Sequence, residues 1–367
     1  MKNLVFYYPT IYDDGLKKTF QLYTNYLKEK FKIILVTNTC NKKNLKFVNK
    51  KIKIINLQNN FISKFKFINE ILCLIRILGF INKNSIIFSA DKHFYLLILK
   101  FIGLKFKLIL RIPNPIFNPN SKGESKFLNK KFFSNNPGSE LGVLDLKFLK
   151  YANIVIVYSK NHYKFLKKKY KLSNLKLIRN YFPKNYVRRN SKKIKNIFFI
   201  GRLVNSKDPI FFLRNTLNIL KSLDIKIHIV GNGPLLKSMI EIAKKHKKFV
   251  KFYGFVKDPF KKYNKKIDLF CLTSKFDGTP NVLGEAISYK IPCLAPRGVG
   301  CVNEILNNGK FGSVYSPGNN LDFKKKINIS IKNRNKTVKK SKMAFDNLEN
   351  YSESNTLKKL KFVLENL

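Results

Sequence analysis

At 367 residues the chain exceeds what one ordinary hydrophobic core organises, and its 44% hydrophobic content suffices for two domains. Its 73 Lys and Arg against 21 Asp and Glu leave a formal charge of +52. That imbalance excludes cationic partners and points to nucleic acid, an anionic membrane surface or a nucleotide-linked substrate, although a chain rich in Lys, Asn, Ile and Phe is also what an AT-rich genome encodes.

The elements run in chain order as alternating short strands and helices. Apolar runs at 4–8, 32–37, 53–57, 85–89, 107–112 and 154–159 read as strands covered on both faces, as in a parallel sheet. Segments with helical periodicity lie between them, for example 16–30, 65–78 and 161–170. The stretch 114–142 breaks the alternation: Pro115, Pro119 and Pro137 among many Asn, Ser and Lys predict a long irregular loop, functional or disordered. A polar, basic segment at 184–195 reads as a linker. The pattern then restarts, with strands at 197–200, 226–230, 250–253, 267–272 and 292–295 and helices centred near Leu213, Met239, Tyr263, Ala286 and Ile305. Two successive βαβα arrays predict two doubly wound α/β domains, each with a parallel sheet, over 1–183 and 196–351.

Several function classes are excluded. Five cysteines without a C-x-x-C pair make neither a disulfide framework nor a zinc site. Asp13-Asp14 ends the N-terminal apolar stretch before a secretory signal could form. The longest apolar stretch, 68–81, is interrupted by Asn69, Glu70 and Arg76 and falls short of the ~20 residues of a spanning helix. These features predict a cytoplasmic chain without a transmembrane helix.

The chemistry concentrates where strands give way to helices. After the strand 267–272 comes Ser274-Lys275-Phe276-Asp277-Gly278-Thr279-Pro280-Asn281-Val282-Leu283-Gly284-Glu285-Ala286. A polar loop opening onto a helix N-terminus is an anion site, because free N–H groups and the helix dipole favour a phosphate. Asp277 and Glu285, eight positions apart, add acceptors for sugar hydroxyls. After the strand 197–200, Gly201-Arg202-Leu203-Val204-Asn205-Ser206-Lys207 supplies two cations where a diphosphate would sit, against the alternative of a solvated basic pair.

These two motifs together resemble the family-4 retaining glycosyltransferases of GT-B fold. The resemblance implies two Rossmann-like domains facing across a cleft, with a C-terminal helix, 352–367, crossing back to the first. It implies that Arg202 and Lys207 hold the diphosphate of a nucleotide sugar, Glu285 the ribose and Asp277 the transferred sugar. Asp277 stands where the pattern usually has Glu, one methylene longer. Gly201, Gly278, Thr279, Pro280, Asn281, Val282 and Leu283 would line the donor, and backbone at Val256, past the Gly254-Phe255 turn, would meet the base. In the first domain Gly15 would let the backbone approach the phosphates. His93 is either a polar group near acceptor and donor sugar or a solvated helix residue, and Arg111 either an acceptor contact or a structural ion pair. Gly231 and Gly233 read as a strand-ending turn, and His162, His228 and His246 carry no assigned chemistry.

The implied activity is metal-independent, retaining transfer of a sugar from a nucleotide diphosphate sugar, UDP-linked by family habit, to a glycan or lipid-linked acceptor. No cofactor and no nucleic acid are expected, and the charge predicts peripheral attachment at the inner face of the plasma membrane. Two rivals come from other classes. A polyanion or nucleic-acid binder would interleave aromatic and basic residues on an exposed surface, and a sugar-nucleotide epimerase of the same architecture would need no acceptor.

Overall fold

The computed structural model describes residues 2–9, 11, 15–38, 45, 48–57, 66–89, 94–112, 143–185, 193–217 and 225–367. His93, the expected loop 114–142 and linker residues 186–192 lie outside them. The described residues up to Asn180, together with Ser354–Leu367, form one compact unit, and Tyr181–Glu353 form another.

In the first unit, strand and helix alternate as β1 (Asn3–Tyr7), α1 (Gly15–Leu27), β2 (Lys32–Thr37), β3 (Lys53–Asn56), α2 (Lys66–Leu78), β4 (Ile86–Ser89), α3 (Phe94–Phe101), β5 (Lys107–Arg111), α4 (Val143–Phe148), β6 (Ile154–Val157), α5 (Lys160–Tyr170) and β7 (Leu175–Leu177). All pairings are parallel, in the order β3-β2-β1-β4-β5-β6-β7. The apolar runs form strands because both faces are covered. Val5, Tyr7, Ile87, Leu108 and Val155 join α2, α3 and α4 in one buried cluster. Their neighbours Leu4, Phe6, Phe88, Ile109 and Ile154 join Phe20, Tyr23 and Leu27 of α1 in another. Ser159 caps α5 by accepting from His162 N–H at 3.1 Å.

The second unit repeats the plan with β8 (Asn196–Ile200), α6 (Pro209–Leu217), β9 (Lys226–Val230), α7 (Leu236–Ile242), β10 (Val250–Phe252), α8 (Pro259–Tyr263), β11 (Leu269–Cys271), α9 (Asn281–Ser288), β12 (Cys293–Pro296), α10 (Val302–Ile305), β13 (Ser313–Tyr315), α11 (Asn320–Lys332) and α12 (Arg334–Asp346). The strand order is β10-β9-β8-β11-β12-β13, again parallel throughout. Phe198, Ile200, Phe270 and Leu272 pack under α8, α9 and α12, and Ile197, Phe199, Leu269 and Cys271 pack under α6, α7 and α11. The last helix, α13 (Glu353–Glu365), buries Leu357, Leu360, Val363 and Leu364 in the core of the first unit beside α1.

The expected strands are all present, within a residue or two at the ends. The sequence reading lacked β7 and β13, three residues each, too short for a period to show. It also lacked α11 and α12, whose buried residues Phe323, Ile327, Thr337, Ser341, Ala344 and Phe345 are thinly spread among lysines. Among the cysteines, Cys73, Cys271, Cys293 and Cys301 are free and buried. No described helix is long and apolar enough to cross a membrane.

Candidate functional site

In a doubly wound sheet the strand order reverses at one point, and ligands bind outside the carboxyl ends of the two strands that part there. In the second unit these are β8 and β11, which are hydrogen-bonded neighbours although some 70 residues separate them. Gly201 to Lys207 leaves β8 and Ser274 to Pro280 follows β11, so topology brings the two motifs together at the switch point.

The two loops are tied by specific bonds. The Thr273 hydroxyl donates to the carbonyls of Lys207 (2.9 Å) and Asp208 (3.1 Å). The backbone N–H of Lys275 donates to Ser206 O at 2.9 Å, and Lys275 Nζ pairs with Asp208 Oδ2 at 3.0 Å. Lys207 Nζ donates to Asp277 Oδ2, an ion pair with 20% and 13% of the two side chains exposed, and Ser274 Oγ lies 3.5 Å from the same oxygen. Asp208 takes a left-handed backbone, φ 47°, that turns the chain from the short 3-10 segment Asn205–Lys207 into α6.

A third loop supports the first from the far side. Gly201 N–H donates to Val230 O (3.0 Å) and Leu203 N–H to Asn232 O (2.9 Å). A Cβ on Gly231 would lie 1.8 Å from Gly201 O, and one on Gly233 2.5 Å from Leu203 O. These glycines therefore do more than end a strand: their missing side chains let the 231–233 turn lie against the backbone that presents Arg202. A fourth loop does the same for the carboxylate side. Gly300, at φ +52°, brings its backbone so close that a Cβ would meet Gly278 O at 2.1 Å. Sequence reasoning missed Gly300, Thr273 and Ser206; the Arg297-Gly298-Val299-Gly300 run after β12 was the available signal.

Arg202 is exposed and its guanidinium makes no hydrogen bond or ion pair among the described residues, while Lys207 is already paired. Gly278 is buried, and the Thr279 hydroxyl is buried beside the Cys301 thiol, which burial and the Glu304 carboxylate push far above its usual range. Pro280 precedes α9 and offers no side-chain cap to it; Asn281 and Val282 are half-buried and Leu283 is buried in the core. Glu285 sits half-buried one turn into α9, and burial, then the Asp258 and Glu285 carboxylates, push the Tyr289 phenol up. Val256 follows the Gly254 turn, half-buried against the core, and Gly231 N–H donates to Gly254 O at 2.8 Å. Among the described residues no group of three His, Cys, Asp or Glu could hold a metal ion.

In the first unit Gly15 opens α1. Arg111 ends β5 and is buried, 3% exposed. Its Nη2 donates to Thr19 Oγ1 (3.1 Å) and Asn180 Oδ1 (3.2 Å), and its guanidinium lies 4.5 Å from the Tyr158 ring centroid. These contacts hold the guanidinium within its own unit.

Burial lowers two histidine pKa values to about 4. His162 lies on α5. His228, in β9, stacks on Phe198 and places Nδ1 2.8 Å from Tyr253 Oη and Nε2 2.9 Å from Asn196 Oδ1, with Lys266, Lys226 and Lys251 nearby.

Comparison with known proteins extends this geometry. Residues 194–333 match the model of the family "Glycosyl transferases group 1". An uncharacterized glycosyltransferase of Methanocaldococcus jannaschii is 27% identical over 244 residues, 58% of this chain and 58% of that protein. The lipopolysaccharide 1,6-galactosyltransferase of Salmonella typhimurium is 30% identical over 111 residues, 29% of this chain and 31% of that protein. The matched regions thus span less than two thirds of these relatives. Among solved structures, Anabaena HepE in complex with UDP-glucose superposes with a TM-score of 0.75 over 100% of both chains at 14% identity, which shows a shared GT-B fold.

Proposed function

We propose that this chain, a member of the glycosyl transferases group 1 family through residues 194–333, moves a sugar from a nucleotide diphosphate sugar to a glycan or lipid-linked acceptor in cell-surface polysaccharide synthesis. The observation that carries this reading is that the strand order brings the loop bearing Arg202 and Lys207 and the loop that opens onto α9, the helix carrying Glu285, to one topological switch point. The solved relative with UDP-glucose and the relative that acts on lipopolysaccharide support a UDP-linked donor and a saccharide acceptor.

In this reading Arg202, Lys207 and the first turn of α9 hold the diphosphate and stabilise the charge that develops as the bond between the sugar C1 and the phosphate oxygen breaks. Fixed cations do there what a divalent ion does in other enzymes, so the transfer is metal-independent. Glu285 accepts from the ribose hydroxyls, and backbone at Val256 meets the base. Retention follows front-face attack: the acceptor oxygen bonds to C1 on the side the diphosphate leaves, and the hydroxyl proton passes to a leaving phosphate oxygen. The acceptor binds on the rim of the first domain. The +52 charge further supports attachment to an anionic bilayer at the cytoplasmic face, which liposome flotation at low and high salt tests.

The central test is a thermal-shift screen of nucleoside diphosphates and nucleotide sugars, followed by sugar transfer to saccharide acceptors. A ligand that binds the folded state raises its melting temperature. No shift with any nucleoside diphosphate would overturn the proposal, and donor turnover without acceptor would favour an epimerase.

A further inference from the structure

The ion pair between Lys207 and Asp277 carries more than a donor-site roll. The resemblance assigns Asp277 to the transferred sugar, yet its carboxylate already holds the Lys207 ammonium, and both side chains are largely shielded from water. The bonds around the pair are arranged to keep it. Thr273 and Ser206 lock the backbones of the two loops, Ser274 Oγ approaches the same carboxylate oxygen, and Gly300 packs against the carbonyls of Asp277 and Gly278. An ammonium has three donors, so one spent on Asp277 leaves two for phosphate oxygens. Arg202, by contrast, is exposed and makes no side-chain bond among the described residues.

We infer that Asp277 is a positioning residue for Lys207, fixing the ammonium where the diphosphate binds, and that its short side chain serves this bond rather than the donor sugar. The inference rests on the glycosyltransferase reading but makes a different prediction from the sugar-contact role. A carboxylate that touches only the sugar matters only to sugar nucleotides. One that aims Lys207 matters equally to the free nucleoside diphosphate. One whose loss merely loosens the loops weakens every ligand, the nucleoside monophosphate included.

Calorimetry with UMP, UDP and UDP-glucose, and the adenine and guanine series in parallel, separates these roles in the wild type, Asp277→Asn, Lys207→Ala and the double variant. Asp277→Asn is expected to lower affinity for UDP and UDP-glucose by the same factor, about ten- to hundredfold for a charge-assisted bond, and to spare UMP. In the Lys207→Ala background it should add nothing, since residues acting through one bond are not additive. Loss confined to UDP-glucose, equal loss for UMP, or additive losses in the double variant would each overturn the inference. Thermal melts identify a variant that fails to fold, and in that case Asp277→Glu replaces it: an equal fall in affinity for UDP and UDP-glucose with UMP spared supports positioning, and unchanged UDP affinity, or a loss confined to UDP-glucose, refutes it. If the wild type binds no nucleoside diphosphate of any series, the function itself falls, an outcome distinct from all of these.

Discussion

Gly284 lies in the middle of α9, where a glycine is otherwise a poor choice, and its place is occupied from outside. A Cβ there would lie 2.3 to 2.4 Å from three ring atoms of Phe182. Carbon atoms pack at roughly 3.5 to 4.0 Å, so Gly284→Ala requires the ring or the helix to move by more than about 1 Å. The ring has little freedom. Phe182 is 4% exposed, its centroid lies 5.9 Å from that of Tyr351, and its N–H donates to Tyr351 O at 3.0 Å. Overpacking a filled core costs about 1 to 3 kcal/mol, and a clash against a rigid aromatic belongs at the upper end, about 3. Replacing glycine by alanine in a helix returns about 1 kcal/mol. The expected net loss is therefore about 2 kcal/mol, a fall of roughly 4 to 8 °C in Tm for a unit of this size. Because α9 also carries Asn281 to Glu285, the displacement should weaken nucleotide binding. Denaturant melts and UDP titrations on Gly284→Ala, Phe182→Leu and the pair would measure both effects, and the smaller Leu should recover part of the loss in the double variant. A Gly284→Ala protein as stable as the wild type, with unchanged affinity, would refute the packing account.

Two other expectations concern the site and the buried histidines. Arg202→Ala should leave the melting temperature unchanged, as its side chain is exposed, and lower turnover by a factor on the order of 10² to 10³, whereas Glu285→Gln should weaken nucleotide and nucleotide sugar alike; steady-state kinetics and calorimetry check both. His162 and His228 have folded pKa values of about 4 against an ordinary 6.5, so the unfolded chain takes up more protons between these values. The stability each contributes is full above pH 6.5 and declines as pH falls toward 4, by at most about 3 kcal/mol per histidine. Urea melts at pH 7.0 and 4.5 should show His228→Gln with a shallower pH slope than the wild type, and an equal slope would contradict the burial argument.

The chain announced its strands because both faces of each sheet are covered, so β4 and β6 appear as apolar runs whose bounds the sequence marks to within a residue or two. Polar clusters at the ends of β8 and β11 marked the candidate site for a related reason, since only a ligand or solvent suits such residues at a buried sheet's rim. Strand order was not legible: nothing in the residues of β8 and β11 says that they are neighbours. Contacts that depend on that adjacency, such as Thr273 to Lys207 and Lys207 to Asp277, were hidden with it. Gly231 and Gly300 could be seen as turns but not as backbone-to-backbone contacts, because a missing side chain does not name what fills its space. The lysine-rich α11 and α12 escaped for the opposite reason, their few buried residues being diluted by solvated ones.

The four buried cysteines among the described residues give the chain an internal clock for opening. Cys73 lies on α2 in the first unit, and Cys271, Cys293 and Cys301 lie in the second. Burial pushes the Cys73 thiol up to about 12 and holds Cys271 and Cys301 well above the usual thiol range. Only a thiolate attacks an alkylating reagent, so these sulfurs stay silent until local unfolding brings them into water. Mass-resolved alkylation without any engineered label would then time the breathing of the two halves separately, with the β11 and β12 sulfurs reporting the sheet beneath the loops of the candidate site.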